Sequence, residues 1–190
     1  MRLKNPRVAK TLLAEKGDAH YNSGDFESAL KCYDKALKLD SEDPTLYARK
    51  GRSLLHLKRC DEALECFDIS LKMDPSYTEP LNNKGVVLCM LGRYSDALEC
   101  FQKVLALDPE NEFALGNEKI ARCCILNSKG MGHMRLGKPD EALVSFTQAL
   151  ELVPSDPDVR RNGERALRQV LQNAKEVRLS LFDKRYRIAE

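Results

Sequence analysis

No stretch of this 190-residue sequence approaches the ~18 consecutive apolar residues that a membrane span requires, and none joins a basic start to an apolar core and a small-residue cleavage site. A membrane-embedded or secreted chain is therefore not expected; a soluble, cytoplasmic one is. Net charge is nearly absent too. The 31 basic residues against 29 acidic leave +2, which marks the chain neither for nucleic acid nor for an anionic membrane. Catalytic signatures are missing as well: there is no GxSxG, no phosphate-cradling glycine loop, no HExxH and no CxxC. Nothing supports an enzyme, and no cofactor or metal is implied. The length suits one ordinary domain with a sizeable core.

Seven cysteines are present, an odd number that fits reduced thiols better than a disulfide framework. Three of them keep a fixed interval. Cys32, Cys66 and Cys100 lie 34 residues apart, each followed by an aromatic, in KCYDKAL, ECFDISL and ECFQKVL. Much else shares that interval: Lys16-Gly17, Lys50-Gly51 and Lys84-Gly85; Ala29, Ala63 and Ala97; Leu37, Leu71 and Leu105; Asp40, Asp74 and Asp108. A fourth copy, with Lys129-Gly130, Ala142, Phe146, Leu150 and Pro154, begins 45 residues after the third.

Each unit carries two apolar stretches of helical period. Leu81, Gly85, Leu88 and Leu91 share one face, and Ala97, Leu98, Phe101, Val104 and Leu105 share the next, with a short turn between. Glycine marks that turn by supplying a positive φ, although Lys58 stands there in the second unit. Such hairpins cannot bury both apolar faces alone, so neighbours must stack.

The order of small and large residues resembles the tetratricopeptide repeat, on Leu81, Lys84-Gly85, Leu88, Ala97, Phe101 and Pro109 of the third unit. The departures are modest. The first aromatic is never tryptophan, which the chain lacks, and lysine always precedes the glycine of the first helix. The resemblance implies an all-α fold, a right-handed α-solenoid of about four hairpins in a single domain spanning 1–190. Its repeats are about 10–43, 44–77, 78–111 and 123–156, with an inserted segment at 112–122 and a capping helix at about 157–182.

The insertion adds 11 residues, three turns at 3.67 residues each, so the apolar face drifts only about 20°. One long helix over about 112–136 is expected, displacing the last hairpin by about 16 Å along it. The alternative is a short helix broken near Gly116. Beyond Asp156, Val159, Ala166, Val170, Ala174 and Val177 recur at helical spacing, as a capping helix requires. Residues 160–190 hold nine basic side chains, including Lys184, Arg185 and Arg187, against four acidic. A solvated face explains most of that excess, and 183–190 are expected to fray.

The repeated thiols read as small hydrophobes. Neighbouring helices in a stacked array lie about 8–10 Å apart, beyond the reach of a disulfide. Ser145 fills the same slot in the fourth unit, which a redox or metal ladder would not tolerate. Cys60 is expected in a turn. His20 and His133 occupy a packing slot, and His56 is expected alone on the inner surface.

Function then falls to the inner face that tetratricopeptide arrays use, lined by first helices. Its candidate peptide-binding residues are Arg49 and Arg52, Asn82, Asn83, Val86 and Met90, then Asn127, Met131 and Met134. Asp18, Tyr21, Asn22, Leu55, His56 and Cys89 neighbour them, and Arg165 and Arg168 extend the face. Amides suit the backbone of a bound peptide, and methionines suit an adaptable apolar floor. The partner is therefore a protein or peptide ligand. Helical-repeat nucleic-acid binding and self-association through the fourth hairpin, giving a homo-oligomer, are the alternatives. Chaperone-binding members of the family grip an acidic C-terminal peptide with two lysines, two asparagines and an arginine. The matching positions here are Ala14, Asp18, Arg49, Glu79 and Asn83, which makes that peptide an unlikely ligand for the usual clamp.

Overall fold

A computed structural model describes residues 6–187, with side chains through 178. Of the charged side chains counted over 160–190, Asp183, Lys184, Arg185, Arg187 and Glu190 lie outside the described side chains, and of the stretch expected to fray, 188–190 lie outside the described residues. Among the described residues there are nine helices and no strand: α1 (Pro6–Asn22), α2 (Phe26–Leu37), α3 (Pro44–His56), α4 (Cys60–Met73), α5 (Thr78–Met90), α6 (Tyr94–Leu107), α7 (Glu112–Arg135), α8 (Pro139–Leu152) and α9 (Pro157–Arg187). The chain divides into two compact units, residues 1–118 and 119–190.

Local chemistry sets where the helices begin. Asp25 caps α2 by accepting from the Ser28 amide, and Asp43 caps α3 by accepting from Thr45 and Leu46, with Pro44 in the first turn. Asn111 and Asp156 do the same for α7 and α9. The turns inside the hairpins use left-handed residues at one register: Gly24 (φ 82°), Gly92 (φ 73°) and Gly137 (φ 69°), with Lys58 at φ 59° in the second. A lysine there carries a steric penalty that glycine avoids. Cys60 is the first residue of α4 rather than part of the turn.

One contact recurs in all four hairpins and explains the spacing of glycine and aromatic. Gly17, Gly51, Gly85 and Gly130 lie against the rings of Tyr33, Phe67, Phe101 and Phe146. Those rings are at most 1% exposed. The missing Cβ is what lets first and second helices approach, because an added methyl would overlap the ring. Within residues 1–118, α1 packs on α2, α3 on α4 and α5 on α6, while α2 meets α3 and α4 meets α5. The core crosses the hairpin boundaries: Leu30 of α2, Leu54 of α3, Phe67 of α4 and Val87 of α5 belong to one cluster. Burial of that kind gives each hairpin the stability it lacks alone.

The thiols at the 34-residue interval are 6–8% exposed and sit in this packing. Burial pushes the Cys66 thiol up to about 11, so it stays protonated. In the fourth hairpin Ser145 is buried in the same slot and donates to the Glu141 carbonyl at 3.0 Å. The long helix α7 runs unbroken through Gly116, which removes the alternative of a break there. In the second unit, Cys123 of α7, Phe146 of α8, and Val159 and Ala166 of α9 form a separate core.

Candidate functional site

In the first unit, hydrogen bonds and ion pairs link each first helix to its neighbours. Arg49 donates to Asp18 at 2.7 Å, and Asp18 also accepts from the Tyr33 hydroxyl at 2.8 Å. Burial, then the bond to Asp18, raises the ionisation of Tyr33 far above the ordinary tyrosine range. Arg52 donates to Glu79 at 3.0 Å and lies 4.2 Å over the Tyr21 ring. His56, expected alone, instead stacks on Phe26 at 4.5 Å and shares a 2.7 Å hydrogen bond with the Tyr21 hydroxyl. Its ring has a partner because Phe26 opens the second helix directly beneath it.

These bonds determine what the predicted residues have left to offer. Arg49 and Arg52 are already neutralised within the chain, and Asn82 accepts from Asn117 at 3.2 Å. Arg52 lines two shallow cavities. One, about 280 Å³, includes Asp18, Asn22, Arg49, Tyr77 and Glu79; the other, about 310 Å³, includes Asn82, Asn83 and Phe113. Phe113 is 78% exposed and did not emerge from the sequence, because its register slot holds threonine or glutamate in the earlier units. Val86 is half-buried and Met90 exposed, and neither lines these cavities.

The second unit holds a larger cleft, of about 730 Å³. Ser128, Met131, Met134 and Arg135 of α7 form one wall, Pro139 and Phe146 of α8 the base, and Asn162, Arg165, Gln169 and Asn173 of α9 the other wall. Met131 is exposed, and Met134 is half-buried against the core beneath. Asn127 lies outside the lining but accepts from Asn162 at 3.0 Å, fixing the base of the α9 wall. His133 is packed as its slot suggests, with a buried Nδ1 that has no hydrogen-bond partner. Arg168 points elsewhere and faces Glu164 at 3.6 Å.

The α9 wall was legible in part. Asn162 follows Asn127 by 35 residues, as Asn117 follows Asn82, so both pairs make the same bond from one first helix to the next helix in that position. The start of α9 therefore copies a first helix. Gln169, Asn173 and Arg135 had no such internal partner to flag them.

Stacked hairpins that each close a glycine on a ring define a helical-repeat fold, a class of domain that generally serves as a protein–protein interaction module. The chain belongs to the tetratricopeptide repeat family, whose profiles match residues 15–78 and 79–111. Among solved structures it is similar to the tetratricopeptide domain of Arabidopsis OM64, with 26% identity, 62% of this chain and 98% of that one covered, and a TM-score of 0.61. The first such domain of Spaghetti (RPAP3), bound to an HSP90 peptide SRMEEVD, is 24% identical over 60% of this chain and 90% of that one, with a TM-score of 0.59. MamA is 18% identical over 90% of this chain and 87% of that one, with a TM-score of 0.56. The last two likenesses speak to fold alone. No curated protein matches the sequence. No described helix is long and apolar enough to cross a membrane.

Proposed function

We propose that the chain is a non-catalytic protein–protein interaction scaffold that holds a peptide segment of a partner in the cleft between α7, α8 and α9. The size and lining of that cleft carry the reading. About 730 Å³ falls within the ~300–1,000 Å³ typical of ligand sites, and the lining sets apolar Met131, Met134, Pro139 and Phe146 beside the polar side chains of α9, the combination of apolar surface and placed polar groups that such sites use. The first unit offers less. Its two cavities are each less than half as large, and their arginines are held by Asp18 and Glu79.

The same ion pairs bear on two other ligands. A chaperone C-terminal peptide needs cationic and amide side chains where this chain has Asp18 and Glu79, and those carboxylates would repel its acidic residues. A nucleic acid needs unpaired basic side chains along the inner face together with rings for stacking. Arg49 and Arg52 are paired, and Phe146, the one ring in the cleft, is 1% exposed.

Panning a random peptide library against the full chain, followed by fluorescence-anisotropy titration, tests this. Met131→Asp is expected to weaken the selected peptides at least tenfold, whereas Val86→Asp leaves them within about twofold. Equal binding by wild type and Met131→Asp would refute the cleft as the site.

A further inference from the structure

We infer that the ligand of this cleft is an acidic, extended stretch of another protein, threaded along α9 with neither of its ends in the site. The inference rests on the reading of the cleft as a peptide site and adds the chemistry of the peptide. Three observations carry it.

The first is charge. In the first unit the cations of the first helices that reach a neighbouring segment are matched there: Lys10 with Asp40 and Asp43, Arg49 with Asp18, Lys50 with Asp34, Arg52 with Glu79, and Lys84 with Asp68. Arg135 and Arg165 break that pattern. They face the cleft from opposite walls, have no carboxylate partner among the described residues, and no carboxylate lines the cavity. Two unpaired guanidiniums converging on one cavity select a partner that brings its own carboxylates.

The second is shape. Asn162, Arg165, Gln169 and Asn173 fall at i, i+3, i+7 and i+11, one face of α9. The face is about 16 Å long at 1.5 Å per residue, enough for about five extended residues at ~3.3 Å each. The third is hydrogen-bonding capacity along that face. Asn162 donates to Asn127, and Gln169 donates to Asn173 at 3.1 Å. Those bonds leave the Asn162 and Gln169 carbonyls and the Asn173 NH2 group for a ligand backbone. A ladder of donors and acceptors repeating along the wall suits a strand passing through; a single chain terminus would engage one end of it. Met131 and Met134 opposite take an apolar side chain of the strand.

The test uses the full chain and a cellulose-bound array of octapeptides, acetylated at the N-terminus and anchored through the C-terminus so that no charged end is free. Positions are drawn from Glu, Lys, Gln, Leu and Ser. The wild type is expected to retain peptides with at least two Glu around a Leu, and the double variant Arg135→Glu/Arg165→Glu to prefer Lys in place of Glu. In solution the best acidic peptide, amidated, is expected to bind at least tenfold more weakly to Arg135→Gln/Arg165→Gln. Its affinity should also fall as salt rises from about 50 to about 300 mM, because both arginines are exposed to screening. Unchanged helical circular dichroism verifies that each variant is folded.

Peptides whose binding is lost in Met131→Asp but untouched by either arginine variant would overturn this inference while leaving the peptide cleft standing. No retained peptide at all, or binding indifferent to Met131→Asp, would overturn both. Tighter binding of an oligouridylate than of any array peptide would refute the choice of protein over nucleic acid.

Discussion

Adding one methyl group at Gly85 and the same methyl at Gly116 should move stability in opposite directions. At Gly85 the new Cβ would lie 2.5 Å from Phe101 Cε1, 2.7 Å from Cζ and 3.0 Å from Cδ1. Carbon atoms in ordinary contact sit ~3.5–4.0 Å apart, so the ring would have to retreat by about 1 Å. It has nowhere to go. Phe101 is 0% exposed, and retreat would push α6 off α5. Overpacking of this kind costs about 1–3 kcal/mol, and a rigid ring met by a backbone-anchored methyl belongs at the upper end. Alanine returns about 1 kcal/mol of helix propensity, leaving Gly85→Ala destabilised by about 2 kcal/mol. At Gly116 nothing lies within 4 Å of the added Cβ, so only the propensity gain remains, about 1 kcal/mol of stabilisation. For a chain of this length 1 kcal/mol corresponds to ~2–4 °C in Tm. Gly85→Ala should therefore melt about 4–8 °C lower than wild type and Gly116→Ala about 2–4 °C higher. Phe101→Leu adds an internal control, because trimming the ring removes most of the penalty at residue 85. The two changes should be non-additive by about 1–2 kcal/mol in urea titrations. Shifts of the same sign at both glycines, or strict additivity with Phe101→Leu, would refute the close-approach account of the repeat.

Two further outcomes follow from single residues. Lys58→Gly removes a side chain from a left-handed turn position and should raise the urea midpoint by an amount equivalent to about 0.5–1 kcal/mol, with the m-value unchanged. Burial holds the folded Cys66 thiol near 11 against an ordinary value of 9.0, so from pH 9 to 11 the unfolded thiol releases its proton and the folded one keeps it. The unfolded state then binds fewer protons, and stability present below pH 9 declines across that window by about 1.4 kcal/mol per pH unit for one group. Cys66→Ala should make the alkaline slope shallower by close to one proton in urea titrations at pH 8–11; an unchanged slope would show that the thiol is not protected.

The repeat could be read from the chain because its physical cause is local and periodic. Each ring needs a glycine sixteen residues earlier, as in Gly51 and Phe67 or Gly130 and Phe146, and nothing elsewhere in the fold overrides that need. The long helix was legible for a similar reason, since its 11 added residues are close to three whole turns. Site residues were harder to judge. Arg49 and Arg52 lie on a first helix as expected, yet Asp18 and Glu79 from neighbouring helices neutralise them, and such pairings span 27–31 residues with no shared period. Phe113, Arg135, Gln169 and Asn173 have no counterpart in other units, so a reading built on repetition passed over them. Met131 and Met134 could be placed on the inner face from their register on the first helix of the fourth unit, and both line the cleft.

The chain's five methionines permit the most direct test of where the partner binds. With 13C-methyl-labelled methionine, the wild type should give separable methyl signals for Met73, Met90, Met131 and Met134, assigned by single Met→Leu substitutions. Titration with the strongest array peptide should shift or broaden Met131 and Met134 and leave Met73 and Met90 in place. Perturbation of Met90 with Met131 and Met134 unmoved would place the ligand on the first unit and contradict the account.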